Sequence, residues 1–225
     1  MARGANCRLL VFAKAPVPGE VKTRLCPPLT PGRAADLQRR LLWHALEAAS
    51  RADLGPIELC CTPTSAHDFF QECARQFNVT LHVQAPGNLG DRMAQALTEA
   101  LTRADAALLM GSDCPVISAD YLRQAARSLA EGASLVFGPA QDGGYGLIGV
   151  RESFPDVFSN IPWGTGTVMS DTRARLMAMG VEFVELPMIW DVDRPADLVK
   201  LEQDENLRYL LDERDLINDK QQFLC

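Results

Sequence analysis

Short apolar segments alternate with longer amphipathic segments along most of this 225-residue chain. No other feature limits the possible folds as strongly, because strands joined by crossover helices build a parallel sheet covered on both faces. The segment 106–110 is apolar throughout, which is typical of a central strand buried on both sides. Strands are predicted at 9–12, 57–62, 79–83, 106–110, 134–137 and 181–186, and helices at 31–52, 66–77, 91–103, 118–130, 168–179 and 196–205. We therefore predict an α/β fold with one mainly parallel sheet and helices on both of its faces.

The composition suits a single domain with a full core. Apolar residues make up 47% of the chain, and no linker or internal repeat divides it. We assign residues 1–201 to this domain and residues 202–225 to a charged C-terminal tail. In the tail, Leu207, Leu210, Leu211 and Ile217 are spaced to form one helical face. Such a face offers a surface for a second copy of the chain, so a homodimer is one option.

The net charge limits the binding partners that this protein can have, and the cysteine content indicates its cellular compartment. A net charge of −7 argues against nucleic acid or an anionic membrane as the partner, although a few local cations suffice for a small phosphate ligand. No apolar run approaches the roughly 18 residues that span a bilayer. The seven cysteines include no C-x-x-C pair, which makes a disulfide framework or zinc site improbable and indicates a reducing cytoplasm.

A basic loop follows the first predicted strand, in the sequence FAKAPVPGEVKTRL at 12–25. It carries Lys14, Lys22 and Arg24, with Gly19 between the first two cations. In α/β proteins, ligands lie outside the carboxyl ends of the strands, and fixed cations in such a loop can hold phosphate. We interpret the loop as the site that neutralises the pyrophosphate of a nucleotide.

Asp113 follows the apolar segment 106–110 directly, in the sequence GSDCP. A carboxylate at the end of a buried strand can coordinate a hard divalent cation, which in turn contacts phosphate oxygens. The alternative is that Asp113 only caps the turn before Pro115. The basic loop and the later aspartates favour the metal role.

A second acidic group occurs near the end of the domain, in the sequence WDVDRPAD. Asp191 and Asp193 alternate around Val192, so they would share a face if the chain is extended, and one of them would complete the coordination begun by Asp113. We favour Asp193 and leave the odds even for Asp191. Asp197 is better explained as a residue of the first turn of the next helix, where it favours the helix dipole.

Two glycine-rich segments allow both a structural and a functional interpretation. Asp142-Gly-Gly-Tyr145-Gly permits close approach of a ligand to the backbone, but it also suits a plain hairpin turn. The segment around Gly90 and Arg92 fits a turn that opens a helix, or a loop that contacts a nucleotide base through Arg92.

Six motifs resemble, in their order, those of the nucleotide-diphospho-sugar transferase superfamily, whose fold is the GT-A type of Rossmann-like sheet. They are AKAPVPGEVKTRL, GNLGDRMAQAL, GSDCP, DGGYGLIG, PWGTGTVMSDT and WDVDRPADL, and together they cover most of 8–198. Within the superfamily, the chain is most similar to a bacterial glycosyltransferase-like family related to 2-phospholactate guanylyltransferase and molybdenum-cofactor nucleotidyltransferases.

The resemblance implies a role for each motif. It implies that Lys14, Lys22 and Arg24 hold the di- or triphosphate, and that Asp113 and Asp193 bind Mg²⁺ or Mn²⁺. The resemblance places the acceptor on the other side of the site. It implies that the DGGYG segment shapes the acceptor side, with Asp142 and Tyr145 as its contacts. We therefore expect the acceptor-binding residues to be Gly143, Gly144, Tyr145 and Trp163.

We therefore expect a metal-dependent transferase, with glycosyl transfer from a nucleotide sugar to a small acceptor as the first choice. Lys22 would offset charge on the leaving group, and Asp142 would act as the base for the acceptor hydroxyl. A nucleotidyltransferase that releases pyrophosphate is the alternative, although the G-G-x-G-x-R loop of such enzymes is replaced by APVPGEVKTR. A nucleotide-binding module without catalysis is the third option, which the paired metal ligands argue against.

Overall fold

A computed structural model describes residues 6–211 and shows one α/β unit with seven strands and six α-helices in that range. The strands are β1 (Cys7–Lys14), β2 (Ile57–Thr62), β3 (Thr80–Val83), β4 (Ala106–Gly111), β5 (Leu135–Pro139), β6 (Tyr145–Val150) and β7 (Phe183–Glu185). The α-helices are α1 (Pro31–Ala52), α2 (Asp68–Phe77), α3 (Leu89–Leu101), α4 (Ala119–Ala130), α5 (Val168–Met179) and α6 (Pro195–Gln203). None of these helices is both long and apolar enough to cross a membrane.

The strands form one sheet in the order β3-β2-β1-β4-β6-β5-β7. All neighbouring pairs are parallel except those of β6, which runs antiparallel to both β4 and β5. The predicted fold class, a mainly parallel sheet in an α/β unit, is confirmed. Because β6 is reversed, its first residue, Tyr145, lies at the same edge as the last residues of β1 and β4.

Local capping explains where the helices begin. α1 has the predicted bounds: Pro31 occupies its first turn and Thr30 Oγ1 accepts a hydrogen bond from the Arg33 N–H at 3.4 Å. α3 begins at Leu89, two residues earlier than predicted. The reason is a capping box in which Asn88 and Asp91 accept each other's backbone N–H at 3.1 Å.

The sheet is buried between two layers of apolar side chains. β4 contributes to both: Leu108 and Met110 pack on the side of α1 and α4, whereas Ala107 and Leu109 pack on the side of α3 and α5. The apolar run that predicted a central strand is thus explained by its position at the middle of the sheet. A sheet held from both sides gives its carboxyl edge a fixed geometry.

The segment after α6 is packed against the chain's own domain. Leu207, Leu210 and Leu211 are buried in a cluster that includes Leu37 and Leu41 of α1. The segment also forms a short 3-10 turn at Arg208–Leu210. The face predicted for the tail is therefore covered within the chain as far as Leu211, while Ile217 and the remainder of the predicted tail lie outside the described residues.

We predict that Leu210→Ala lowers the free energy of unfolding by about 2–5 kcal/mol, because it removes a side chain that is 1% exposed. Chemical denaturation measures the change. Val199→Ala on α6 is the matched control, since Val199 is 41% exposed and its truncation should cost well under 1 kcal/mol. Equal effects of the two substitutions would show that the C-terminal segment adds nothing to the core.

Candidate active site

A cleft of about 500 Å³ opens at the carboxyl edge of the sheet. It lies beyond the ends of β1 and β4 and beside the start of β6, where the sequence placed the ligand site. The predicted site residues that line it are Lys14, Lys22, Arg92, Asp113, Asp142, Tyr145 and Asp193. Five separate stretches of the chain thus meet at one surface.

Lys22 and Asp113 form the centre of this cleft. The Lys22 side chain is only 6% exposed and its Nζ lies 3.3 Å from Asp113 Oδ2. Lys22 adopts a left-handed backbone conformation with φ 49°, which is uncommon for a residue other than glycine. The Asp113 carbonyl in turn accepts a hydrogen bond from the Val192 N–H at 2.9 Å. A buried ammonium needs a partner of opposite charge, which Asp113 supplies. This ion pair therefore holds the loop after β1 against the loop after β4.

Asp191, for which the sequence left the odds even, is one of the carboxylates of the cleft. It lines the cleft, and burial together with the nearby charges of Asp113 and Asp142 raises the pKa of its carboxyl to about 6. Three carboxylates from distant parts of the chain therefore crowd one region. The alternation around Val192 was the available signal, and both of its aspartates do face the cleft although the structure shows no strand there.

Asp193, unlike Asp191, forms an ion pair with a cation within residues 6–211. Its Oδ2 lies 2.6 Å from Nη1 of Arg24, a guanidinium that is not part of the cleft lining. The same ion pair raises the pKa of Arg24. Asp197 accepts hydrogen bonds from the N–H groups of Asp193 and Arg194 at the start of α6, which lowers the pKa of Asp197 and matches its predicted place in the first turn.

Several polar groups of the loop after β1 are used in hydrogen bonds within the chain, which the sequence did not indicate. The N–H groups of Ala15, Val17 and Glu20 all donate to backbone carbonyls within the chain. Lys14 Nζ donates to the Glu20 carbonyl at 2.7 Å, and Gly19 forms part of the turn outside the cleft lining. These three backbone donors are therefore already used within the chain, and the loop presents two side-chain cations, Lys14 and Lys22, to the cleft.

The glycine-rich turn between β5 and β6 serves as a hairpin and as a cleft wall. Asp142 Oδ1 accepts a hydrogen bond from the Gly144 N–H at 2.9 Å, which closes the turn. Gly143 has φ +90°, and a Cβ there would overlap the carbonyl oxygen of Gly166. Gly143 and Gly144 shape the turn without lining the cleft, while Asp142 reaches it.

An aromatic group stands behind this turn. The rings of Tyr145 and Trp163 are 6.2 Å apart in an edge-to-face arrangement. Within residues 6–211, the hydroxyl of Tyr145 is buried and has no hydrogen-bond partner. Trp163 does not line the cleft. A Cβ on Gly90 would lie 2.6 Å from the Trp163 Nε1, so Gly90 is required for helix α3 to approach the indole.

Arg92 lies at the far end of the cleft together with Gln84, a residue that the sequence did not single out. The Arg92 Nε donates to the Gly87 carbonyl at 3.0 Å and its Nη1 lies 3.4 Å from Gln84 Oε1. Gln84 Nε2 donates to the Cys60 carbonyl at 2.8 Å, which fixes that amide. This end of the cleft thus presents guanidinium and amide groups, and no motif spacing marked Gln84 in advance.

Comparisons with known proteins agree with this architecture. A family model described as "Uncharacterized protein conserved in bacteria (DUF2064)" matches residues 45–165. A protein from Desulfovibrio desulfuricans G20, provisionally named a nucleotide-diphospho-sugar transferase, is 30% identical with a TM-score of 0.83. That alignment covers 94% of this chain and 96% of the other. No curated protein matches the sequence significantly.

More distant solved structures share the fold. CMP:2-keto-3-deoxy-manno-octonic acid synthetase in complex with CTP is 13% identical with a TM-score of 0.57, over 87% of this chain and 96% of the other. The 4-diphosphocytidyl-2C-methyl-D-erythritol synthase of Anaerococcus prevotii is 10% identical with a TM-score of 0.59, over 88% and 97% of the two chains. At such identities the likeness concerns the arrangement of the sheet and helices.

We predict that Asp191→Asn stabilises the ligand-free protein at pH 7 and that the gain disappears towards pH 4. The pKa of Asp191 is raised from about 3.9 in an unfolded chain to about 6, so the folded state holds a proton that the unfolded state releases. Stability is therefore lost as pH rises through this window. After a discount for solvent screening, the amide should regain about 1–2 kcal/mol at pH 7.

Thermal unfolding at pH 4, 5, 6 and 7 measures this difference. Asp193→Asn is the matched control, because Asp193 is paired with Arg24 and its neutralisation should give no gain at any pH. A constant difference between wild type and Asp191→Asn across the series would contradict the proposed repulsion.

Proposed function

This chain belongs to the DUF2064 family, and we propose that it is a metal-dependent transferase that moves a glycosyl group from a nucleotide-diphospho-sugar to a small acceptor. Its resemblance to the nucleotide-diphospho-sugar transferase superfamily is confirmed by the family match and the similar structures. Family and fold together support a transferase that uses a nucleotide. The reaction and the metal requirement are our proposal from the site.

The observation that carries the proposal is the crowding of Asp113, Asp142 and Asp191 beside a buried lysine. Burial and then the charges of Asp113 and Asp142 raise the pKa of Asp191, and a protein gains nothing in stability from such an arrangement. A divalent cation would remove the repulsion. The same residues lie at the carboxyl edge of a mainly parallel sheet, where the ligands of such folds bind.

The carboxylates of the cleft fit a hard cation whose coordination is completed by oxygen atoms of the substrate. Within residues 6–211, no three carboxylate, histidine or cysteine side chains are arranged to hold a metal ion by themselves. Mg²⁺ and Mn²⁺ sites in phosphate chemistry commonly use one or two carboxylates together with phosphate oxygens and water. We assign this share to Asp113 and Asp191, whereas the predicted role of Asp193 stays a prediction because Arg24 engages its carboxylate.

In the proposed reaction, the acceptor hydroxyl attacks the anomeric carbon of the donor sugar. The bond between that carbon and the diphosphate oxygen breaks, and a nucleoside diphosphate leaves. When bound, the metal supplies Lewis-acid stabilisation of the leaving diphosphate. Lys22 offsets the same developing charge from a position that its contact with Asp113 already fixes, so little reorganisation is needed during the reaction.

Asp142 is proposed as the base that takes the proton of the acceptor hydroxyl. Its carboxylate reaches the cleft from the β5–β6 turn, and β4 lies between that hairpin and β1 in the sheet. One oxygen is held by the Gly144 N–H, which orients the second oxygen for proton transfer. Tyr145 and Trp163 stand behind it and would shape the acceptor side.

The loop after β1 favours glycosyl transfer over the nucleotidyl alternative. A triphosphate needs many donors, which glycine-rich loops supply as free backbone N–H groups. This loop contains one glycine, Gly19, in place of a glycine-rich sequence, and three of its N–H groups, those of Ala15, Val17 and Glu20, are already bonded within the chain. A diphosphate that is held by a divalent cation and by Lys22 needs fewer backbone donors.

We predict that the wild-type protein releases a nucleoside diphosphate from one member of a nucleotide-sugar panel in the presence of Mn²⁺ or Mg²⁺. Asp113→Asn should reduce this turnover roughly 10²–10³-fold, because it weakens the metal site and the partner of Lys22. Asp120→Asn is the matched control, since the Asp120 side chain is 91% exposed on α4. Pyrophosphate release from nucleoside triphosphates instead would establish the nucleotidyl reaction, and turnover by Asp113→Asn at the wild-type rate would remove Asp113 from the mechanism.

A further inference from the structure

A buried polar pair lies in the floor of the cleft and has no part in the mechanism above. Gln38 of α1 is 5% exposed and Ser112 is 6% exposed, and Gln38 Nε2 donates to Ser112 Oγ at 3.1 Å. Both side chains line the cleft. Every other buried residue of α1 is alanine or leucine, so an amide here needs an explanation.

The other buried polar side chains in residues 6–211 are explained by their own partners. Glu58 forms ion pairs with Arg8 and Arg103, and the hydroxyl of Thr172 donates to the Val168 carbonyl within α5. Neither residue lines the cleft. Gln38 and Ser112 are thus the buried polar pair that faces the space where a ligand would bind.

The direction of their hydrogen bond leaves one donor free. A serine hydroxyl has one hydrogen to donate and two lone pairs to accept. Gln38 fills one lone pair, and Ser112 makes no other hydrogen bond to residues 6–211. Its O–H therefore has no acceptor within the described chain, and the amide above it limits how the hydroxyl can rotate.

Resting on the proposed function, we infer that Ser112 donates its hydroxyl to a phosphate oxygen of the nucleotide, and that Gln38 is the positioning residue that aims it. Ser112 directly precedes Asp113, whose carboxylate contacts the Lys22 ammonium. An acceptor that binds between a lysine, a cation site and a hydroxyl is best matched by a phosphate oxygen. Ser112 is thus a third contact to the diphosphate, beside Lys22 and the metal.

The test is isothermal titration with the member of a UDP, GDP, CDP and ADP panel that the wild-type protein binds best, in the presence of Mn²⁺. Ser112→Ala should raise the Kd roughly tenfold or more, which is typical for loss of one hydrogen bond to a charged group. Thr98→Ala is the matched control, because the Thr98 hydroxyl also pairs with a serine, Ser153, at 2.7 Å but outside the cleft.

A double-mutant cycle tests the role of Gln38. Gln38→Leu keeps a similar volume and should weaken binding severalfold, while it lowers the melting temperature of the ligand-free protein only modestly, because one buried hydroxyl loses its partner. In the Ser112→Ala background, Gln38→Leu should cause no further loss, because its effect passes through the serine hydroxyl. Equal losses in both backgrounds would overturn the positioning role.

The outcomes separate this inference from the function on which it rests. If the wild-type protein binds no nucleoside diphosphate of the panel, the proposed function fails. If the wild-type protein binds one and Ser112→Ala binds it equally well, only the assignment of Ser112 fails.

Discussion

The placement of three carboxylates, Asp113, Asp142 and Asp191, in one cleft is the constraint on which the rest of the site depends. These carboxylates lie after β4, in the β5–β6 turn and in the segment before α6, so only the assembled sheet brings them together. Backbone bonds then prevent them from moving apart: the Val192 N–H holds the Asp113 carbonyl, and the Gly144 N–H holds Asp142. The folded protein thus keeps an electrostatic cost that a bound cation would relieve.

Much of this arrangement could be predicted because it follows from local rules. The bounds of α1 follow from Thr30, Pro31 and the apolar period, and the cleft position follows from the rule that ligands bind beyond the carboxyl ends of strands. The proximity of Lys22 and Asp113 is a consequence of β1 and β4 being neighbours in a parallel sheet. Each of these features needs only short segments and one topological principle.

The features that could not be predicted depend on partners that are distant in sequence. The D-V-D pattern places two aspartates on one face, but Arg24, 169 positions away, decides which of them is neutralised. Gly90 suggested a loop that contacts a ligand, whereas the structure shows that it allows α3 to approach Trp163. Gln38 looked like an ordinary helix residue. Sequence spacing records the period of an element and not the identity of what packs against it.

Helix α1 connects these observations, because it holds the loop around Asp113 at two points. Gln38 donates to Ser112, and His44 Nε2 lies 2.8 Å from the Pro115 carbonyl. A carbonyl can only accept, so Nε2 carries a hydrogen, and the other ring nitrogen, Nδ1, lies 2.5 Å from the Tyr209 hydroxyl. The C-terminal segment therefore orients His44, His44 supports the loop, and the loop presents Asp113. Residues as far as Leu211 thus contribute to the geometry of the cleft without lining it.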